Sequence, residues 1–154
     1  MPMTKAKLVC QTPLYKVMLV REKNVPVPEK VIRKPEDAAE ILIEYLKGAD
    51  RKHLVGLYLS SANKPIAIHT ISIGILNSSL VHPREVFKMA IMVNADSVIV
   101  AHNHPSGNLE PSSEDIAVTK QLKEAGKILD IELRDHLIVS DGYGYLSFSE
   151  RGLI

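Results

Sequence analysis

Two histidines one residue apart, His102 and His104, stand where an apolar, β-branched run ends, and Ser112 and Asp115 follow shortly after. Side chains two apart leave a strand on the same side, so both imidazoles converge on one point. Pro105, Gly107 and Pro111 break the strand into a loop, and Ser112-x-x-Asp115 reads as the first turn of a helix. That turn can return a carboxylate to the two rings. A His, His, Asp set fills three places of a tetrahedral zinc and leaves the fourth to water, the arrangement of a catalytic rather than a structural site. Zinc brings the pKa of that water down to about 7, giving hydroxide at neutral pH. Taken alone, Ser112-x-x-Asp115 is an ordinary helix cap, and a histidine pair at a strand end is more often a surface feature. Their occurrence together in one short segment, with loop breakers between, is what favours a metal site.

The pattern His-x-His, seven residues, Ser-x-x-Asp resembles the motif of the JAMM (JAB/MPN) metalloproteins, matched here by His102, His104, Ser112 and Asp115. The wider stretches Val81-His82-Pro83-Arg84-Glu85-Val86-Phe87, Ala101-His102-Asn103-His104-Pro105-Ser106-Gly107 and Asp135-His136-Leu137-Ile138-Val139 are similar to one branch, the RadC family. The resemblance runs from about Pro35 to the C-terminus. It implies a sandwich similar to that of cytidine deaminases and a zinc hydrolase of the metallopeptidase type, acting on a peptide or isopeptide-like amide. In such hydrolases the metal polarises the carbonyl, a glutamate takes a proton from the water, and the motif serine donates to the oxyanion. Carried over, Ser112 is that donor.

The resemblance also implies a base glutamate just before the first hairpin strand, in a stretch like Asp-Arg-Glu-His. This chain reads Asp50-Arg51-Lys52-His53, which puts Lys52 at that position. An ammonium is no base at neutral pH unless burial or nearby charge lowers its pKa by several units, and a cation there repels the metal. Glu85 is the candidate substitute, although an acid favoured by the dipole at the start of a helix is the simpler account of it. Glu44 and Glu110 are weaker candidates. The alternative to a hydrolase is a catalytically weak or inactive metal-binding module that recognises a protein or nucleic-acid partner. DNA repair attaches to the family by association alone. RadC relatives often carry an additional N-terminal helical, DNA-binding-like domain, which is not expected in this chain.

Asp135 shares strand parity with Ile131, Leu133, Leu137 and Val139, an acid on an otherwise apolar face. Two readings stand for it: a buried, hydrogen-bonded carboxylate, or a contact that orients one of the ligand histidines. His136 points to the opposite face, so the two form no Asp–His dyad without a bulge. His53, His69 and His82 read as strand or helix-start residues, and Asn103, between the ligands, faces away from the metal and braces the loop.

These residues need elements to hold them. Val98 to Ala101 is the continuous apolar run of a strand covered on both faces, hence central in its sheet. Leu54–Leu59 and Ile66–Ile75 read as a hairpin across Ser60–Pro65, and Ile131–Ser140 and Tyr145–Phe148 as two final strands. Pro35-Glu36-Asp37 opens a helix with Ala38, Ile41, Leu42, Tyr45 and Leu46 inward and Gly48 as its stop. Pro83 opens a second, with Val86, Phe87, Ala90 and Ile91 inward and Asn94 closing it. The third runs from the Ser112 cap to about Leu129, with Ile116, Leu122, Ala125 and Leu129 as its buried stripe. Interleaved helices and hairpins predict an α/β (α+β) fold, a mixed sheet with helices on both faces.

The 154 residues suit one domain with a core of its own. Residues 1–34 are expected to be an N-terminal extension with a candidate edge strand at Leu14–Arg21, and 35–154 the metal-binding domain. A net charge of +1 gives no basic field to recruit nucleic acid. A single cysteine, Cys10, excludes an internal disulfide and a cysteine-rich zinc site and suits a reducing compartment. With no membrane-length apolar run and no signal-peptide core, the expected location is cytoplasmic. The deaminase pattern His-x-Glu with Pro-Cys-x-x-Cys is absent, as are His-Glu-x-x-His, the P-loop and Gly-x-Ser-x-Gly.

Overall fold

In the computed structural model, residues 11–28, 30–74 and 81–154 are described. Cys10 and the strand end expected at Ile75 lie outside them. The elements run α1 (Pro35–Leu46), β1 (His53–Leu59), β2 (Pro65–Ile73), α2 (Pro83–Met92), β3 (Ser97–Asn103), α3 (Ser113–Leu129), β4 (Glu132–Ser140) and β5 (Gly144–Ser147). The five strands form one sheet in the order β2-β1-β3-β4-β5. β3 is its middle strand and every residue of it is buried, as its unbroken apolar run requires. It pairs antiparallel with β1 and parallel with β4, to which α3 is the crossover. The mixed sheet follows directly from this: the hairpins β1–β2 and β4–β5 supply antiparallel pairs, the connection through α2 sets β3 antiparallel to β1, and the crossover through α3 supplies the parallel pair.

Each face of the sheet has its own apolar layer. On one, Ala38, Ile41 and Leu42 of α1 pack on Val55, Leu57, Ile99, Ala101, Leu137 and Val139. On the other, Val86, Phe87 and Ala90 of α2 and Val118 and Leu122 of α3 pack on Leu54, Tyr58, Val98, Val100 and Leu133. Tyr58 is fully buried and its hydroxyl donates to the Val86 carbonyl at 2.8 Å, fastening α2 to the sheet. His102 has the parity of Val98 and Val100, so it emerges on the α2/α3 face.

Local chemistry sets the helix ends. Pro35 occupies the first turn of α1, and the Asp37 carboxylate accepts from the backbone N–H groups of Arg33 and Lys34 at 2.9 and 3.1 Å. α2 ends at Asn94, in the left-handed region at φ 54°. α3 ends at Asp130, also left-handed at φ 57° and ψ 35°, with the Ile131 N–H donating to the Gly126 carbonyl at 3.0 Å.

Three expectations are corrected. The buried line of α3 is Asp115, Val118, Thr119, Leu122 and Gly126, whereas Leu129 is 44% exposed and Ile116 and Ala125 are only half-buried. The helix is turned to carry Asp115 inward, and the residues three, four, seven and eleven further on follow it; two of them, Asp115 and Thr119, are polar, so the apolar pattern alone misses the face. Ile91 of α2 is 55% exposed at the margin of a line made by Val86, Phe87 and Ala90. Leu14–Arg21 is assigned to no strand, and its Leu14, Tyr15 and Val20 side chains are exposed. Among the described residues no helix is long and apolar enough to cross a membrane.

Candidate metal centre

His102 is the next-to-last residue of β3, and His104 stands just past its last residue. The His104 backbone is tied to the end of β4, its N–H donating to the Val139 carbonyl at 3.0 Å and its carbonyl accepting from Ser140 Oγ at 3.2 Å. Its Nδ1 is in hydrogen bond with the Asn108 carbonyl, which can only accept. That leaves Nε2 of His104 with its lone pair outward. The loop back to α3 turns at Gly107, whose φ of +83° favours glycine and whose missing Cβ makes room for the Tyr143 ring.

Ser112 caps α3. Its Oγ accepts from the Asp115 N–H at 3.1 Å while its own N–H donates to Asp115 Oδ2 at 2.8 Å, a reciprocal capping box. The cap fixes the Asp115 rotamer and presents the other oxygen, Oδ1, to His102. Cap and ligand-type carboxylate are therefore the same residue, and the two readings of Ser112-x-x-Asp115 are compatible.

The three side chains meet in the interior. His102 Nε2 lies 3.0 Å from His104 Nε2 and 3.4 Å from Asp115 Oδ1, and His104 Nε2 lies 3.8 Å from Asp115 Oδ2. One nitrogen or oxygen from each falls within 4.8 Å of the others. His102 and Asp115 are almost wholly buried, and His104 is 8% exposed. Burial works to raise the Asp115 carboxyl, but the adjacent His102 ring and the Ser112 bonds outweigh it and hold it below the usual carboxylate range. Burial pushes the His104 imidazole below its ordinary value, and the positive charge of Lys52 acts in the same direction against the Asn108 bond. Ionised carboxylate and neutral imidazole are the forms that bind a metal ion.

The donor set fits a cation by a further observation. Asp115 Oδ1 is buried and has no hydrogen-bond partner among the described residues. A buried, unpartnered carboxylate oxygen is costly unless something positive lies against it. A metal ion held by His102, His104 and Asp115 would supply that charge and would also separate two ring nitrogens that face each other at 3.0 Å.

The other candidates lie elsewhere. Glu85 is on the first turn of α2, bonded to Lys88 at 2.8 Å and near Arg84 at 3.7 Å, and Lys88 holds its carboxyl below the ordinary value. Glu44 is exposed on α1, across the sheet from His102, and Glu110 pairs with Arg151 at 3.1 Å. Lys52 is half-buried and close enough for its charge to bear on His104. The Asn103 side chain accepts from the His53 N–H at 2.6 Å and donates to the Arg51 carbonyl at 2.8 Å, clamping the main chain on both sides of Lys52.

Asp135 is a buried carboxylate satisfied by Ser147 Oγ at 2.5 Å and by the N–H groups of His136 and Ser149 at 2.8 and 3.0 Å. The contact to a ligand histidine expected of it is made by its neighbour, since His136 Nε2 lies 2.7 Å from His102 Nδ1. The register explains the exchange: His136 pairs with Val100 and shares the parity of His102, whereas Asp135 pairs with Ile99 on the α1 face. Thr119, the partner of His136, also escaped the sequence reading. The signal was its place four residues after Asp115, on the same face of α3.

Comparison with known proteins now bears on this geometry. Residues 32–153 match the RadC-like JAB domain. The chain belongs to that family. Among similar proteins, the UPF0758 protein of Shouchella clausii is 51% identical over 131 residues, 85% of this chain and 56% of the relative. A UPF0758 protein of Desulfitobacterium hafniense is 48% identical over 129 residues, 84% of this chain and 56% of the relative. That of Caldanaerobacter subterraneus subsp. tengcongensis is 51% identical over 121 residues, 79% and 52% of the two chains. This RadC-like chain thus spans about half the length of the curated relatives it matches.

Proposed function

We propose that this RadC-like domain is a zinc-dependent hydrolase of amide bonds, of the JAMM type, with a peptide or isopeptide as its substrate class. The observation that supports the reading is the convergence of two imidazole Nε2 atoms on the buried Asp115 carboxylate, whose Oδ1 has no partner among the described residues. Three protein ligands leave the fourth place of a tetrahedral ion to substrate or water. When bound, zinc supplies a Lewis acid for the carbonyl and water acidic enough to ionise near neutral pH.

The chain's own residues do the rest. His102, held by β3, and Asp115, held by its cap, would hold the ion from two elements. Ser112 Oγ accepts from the Asp115 N–H, which leaves its own O–H to donate to an oxyanion at the edge of the site. No carboxylate other than Asp115 belongs to the cluster among the described residues. With Lys52 beside His104 and Glu85 engaged by Lys88 and Arg84, proton transfer from water lacks a positioned base, and such a loss costs about 10²–10⁴ in rate. The hydrolase is accordingly a slow one.

Lys52 favours a second reading, a metal-stiffened JAB module that binds a protein or nucleic-acid partner and turns over nothing. Metal analysis tests the first step: purified protein carries about one zinc per chain by the three-ligand rule, and His102→Ala with His104→Ala removes it. Equal zinc in the double variant refutes the assignment. Lys52→Glu then separates the readings, since it raises cleavage of an isopeptide-linked substrate if the domain is a hydrolase short of its base. Unchanged absence of cleavage in a zinc-loaded Lys52→Glu protein favours the module.

A further inference from the structure

We propose that Thr119 and His136 act as a positioning relay that sets which nitrogen of His102 carries the proton, keeping Nε2 free as the donor atom for the ion. The inference rests on the metal reading above and adds to it two residues outside the His-x-His and Ser-x-x-Asp pattern.

The argument is a count of protons along a buried chain. Thr119 Oγ1 lies 2.7 Å from the Asp115 backbone carbonyl and 2.6 Å from His136 Nδ1. A carbonyl only accepts, so the single hydroxyl proton of Thr119 goes to it. The oxygen must then accept from His136, which puts a proton on His136 Nδ1. His136 is fully buried, its ring stacked on Phe148 with ring centroids 4.5 Å apart, and among the described residues no carboxylate is hydrogen-bonded to either ring nitrogen. A ring so enclosed is neutral. Its Nε2 therefore has a lone pair and accepts from His102 Nδ1 at 2.7 Å. His102 in turn is protonated at Nδ1, and its Nε2, facing His104 and Asp115, is bare.

Each link comes from a different element. Thr119 is on α3, His136 on β4 and His102 on β3, so the relay also ties the helix that carries Asp115 to the strand that carries the histidines. Every proton along it has one acceptor, and a change at the Thr119 end reverses the whole chain. Without that hydroxyl, His136 Nδ1 has nothing to donate to, and the proton is better placed on Nε2, pointing at His102 Nδ1. His102 is then driven to carry its proton on Nε2, where it blocks the ion.

The test uses the whole chain as wild type, Thr119→Val and Thr119→Ser. Valine keeps the shape and β-branching of threonine and removes only the hydroxyl; serine restores it. Imidazole nitrogen NMR of the zinc-free protein reports the tautomer of His102, and competition with a chromophoric chelator reports zinc affinity. Expected are Nδ1–H on His102 in wild type and in Thr119→Ser, and Nε2–H in Thr119→Val. Zinc affinity falls about 10–100-fold in Thr119→Val, the usual effect of losing an outer partner of a ligand histidine, and recovers in Thr119→Ser. Nε2–H on His102 in zinc-free wild type overturns the relay without any variant. Wild type that binds zinc while Thr119→Val binds it equally well also overturns the relay and spares the metal site. Wild type that binds no zinc overturns the metal reading itself.

Discussion

The seat of α3 on the sheet yields a prediction whose sign is not obvious from helix propensity. Gly126 is buried in the last turns of α3, and a Cβ built there stands 2.5 Å from the Ile131 carbonyl oxygen, 3.2 Å from Phe87 Cζ and 3.5 Å from the Leu133 nitrogen. Gly126→Ala in a free helix gains about 1 kcal/mol. Here the nearest atom is main chain and no rotamer relieves it, so α3 must withdraw by close to an ångström from the β-strand that follows. Overpacking of that kind costs about 1–3 kcal/mol, and contact with rigid backbone puts it at the upper end. The net loss expected is about 2 kcal/mol, or roughly 4–8 °C in a chain of this size. Urea unfolding followed by circular dichroism, with exposed Glu124→Ala as the control, measures it. Asp115 is roughly 16 Å up the helix, so zinc affinity should change far less than stability does. A Gly126→Ala protein as stable as wild type, or more so, refutes the claim that glycine is there for close approach.

Asp130, left-handed at φ 57° and an acid at the negative end of the α3 dipole, is unfavourable on both counts; Asp130→Gly should raise the free energy of unfolding in urea by about 0.5–1 kcal/mol, and a lowered one would contradict this. Asp135 supplies a pH dependence. Burial raises its carboxyl pKa despite its bonds to Ser147, Ser149 and the His136 N–H, so the fold favours the protonated form, and that contribution is complete below the ordinary value of about 3.9 and lost as pH rises through the folded value. The stability of wild type relative to Asp135→Asn should therefore decline from about pH 4 upward, and a difference independent of pH would rule this out.

What the sequence disclosed about the site is what neighbours in the chain decide. The His102/His104 pair, the Ser112 cap and Asp115 lie within one strand–loop–helix passage, so spacing along the chain is nearly spacing in space, and the structure brings all three metal-type ligands together. The central strand, the β1–β2 hairpin and the starts of α1 and α2 were legible for the same reason. The failures are long-range. Which of Asp135 and His136 meets His102 depends on how β4 lies beside β3, including an irregularity of register between Val98 and Ile99 that no local pattern announces. The face of α3 was misjudged because its inward side is chosen by Asp115 and Thr119, polar residues that an apolar stripe omits. Lys52 stands at the base position only by what the resemblance implies, and its electrostatic reach to His104 needed coordinates.

The Asn103 clamp grips the protein only through main-chain atoms of Arg51 and His53. The side chain at position 52 is thereby released from any part in holding the site's shape. It stands as an exchangeable fitting on a fixed mount: reversing its charge should change the field at His104 while the main chain around position 52 stays clamped as it is. Under the proposed hydrolase reading, one substitution on such a mount separates turnover from mere recognition.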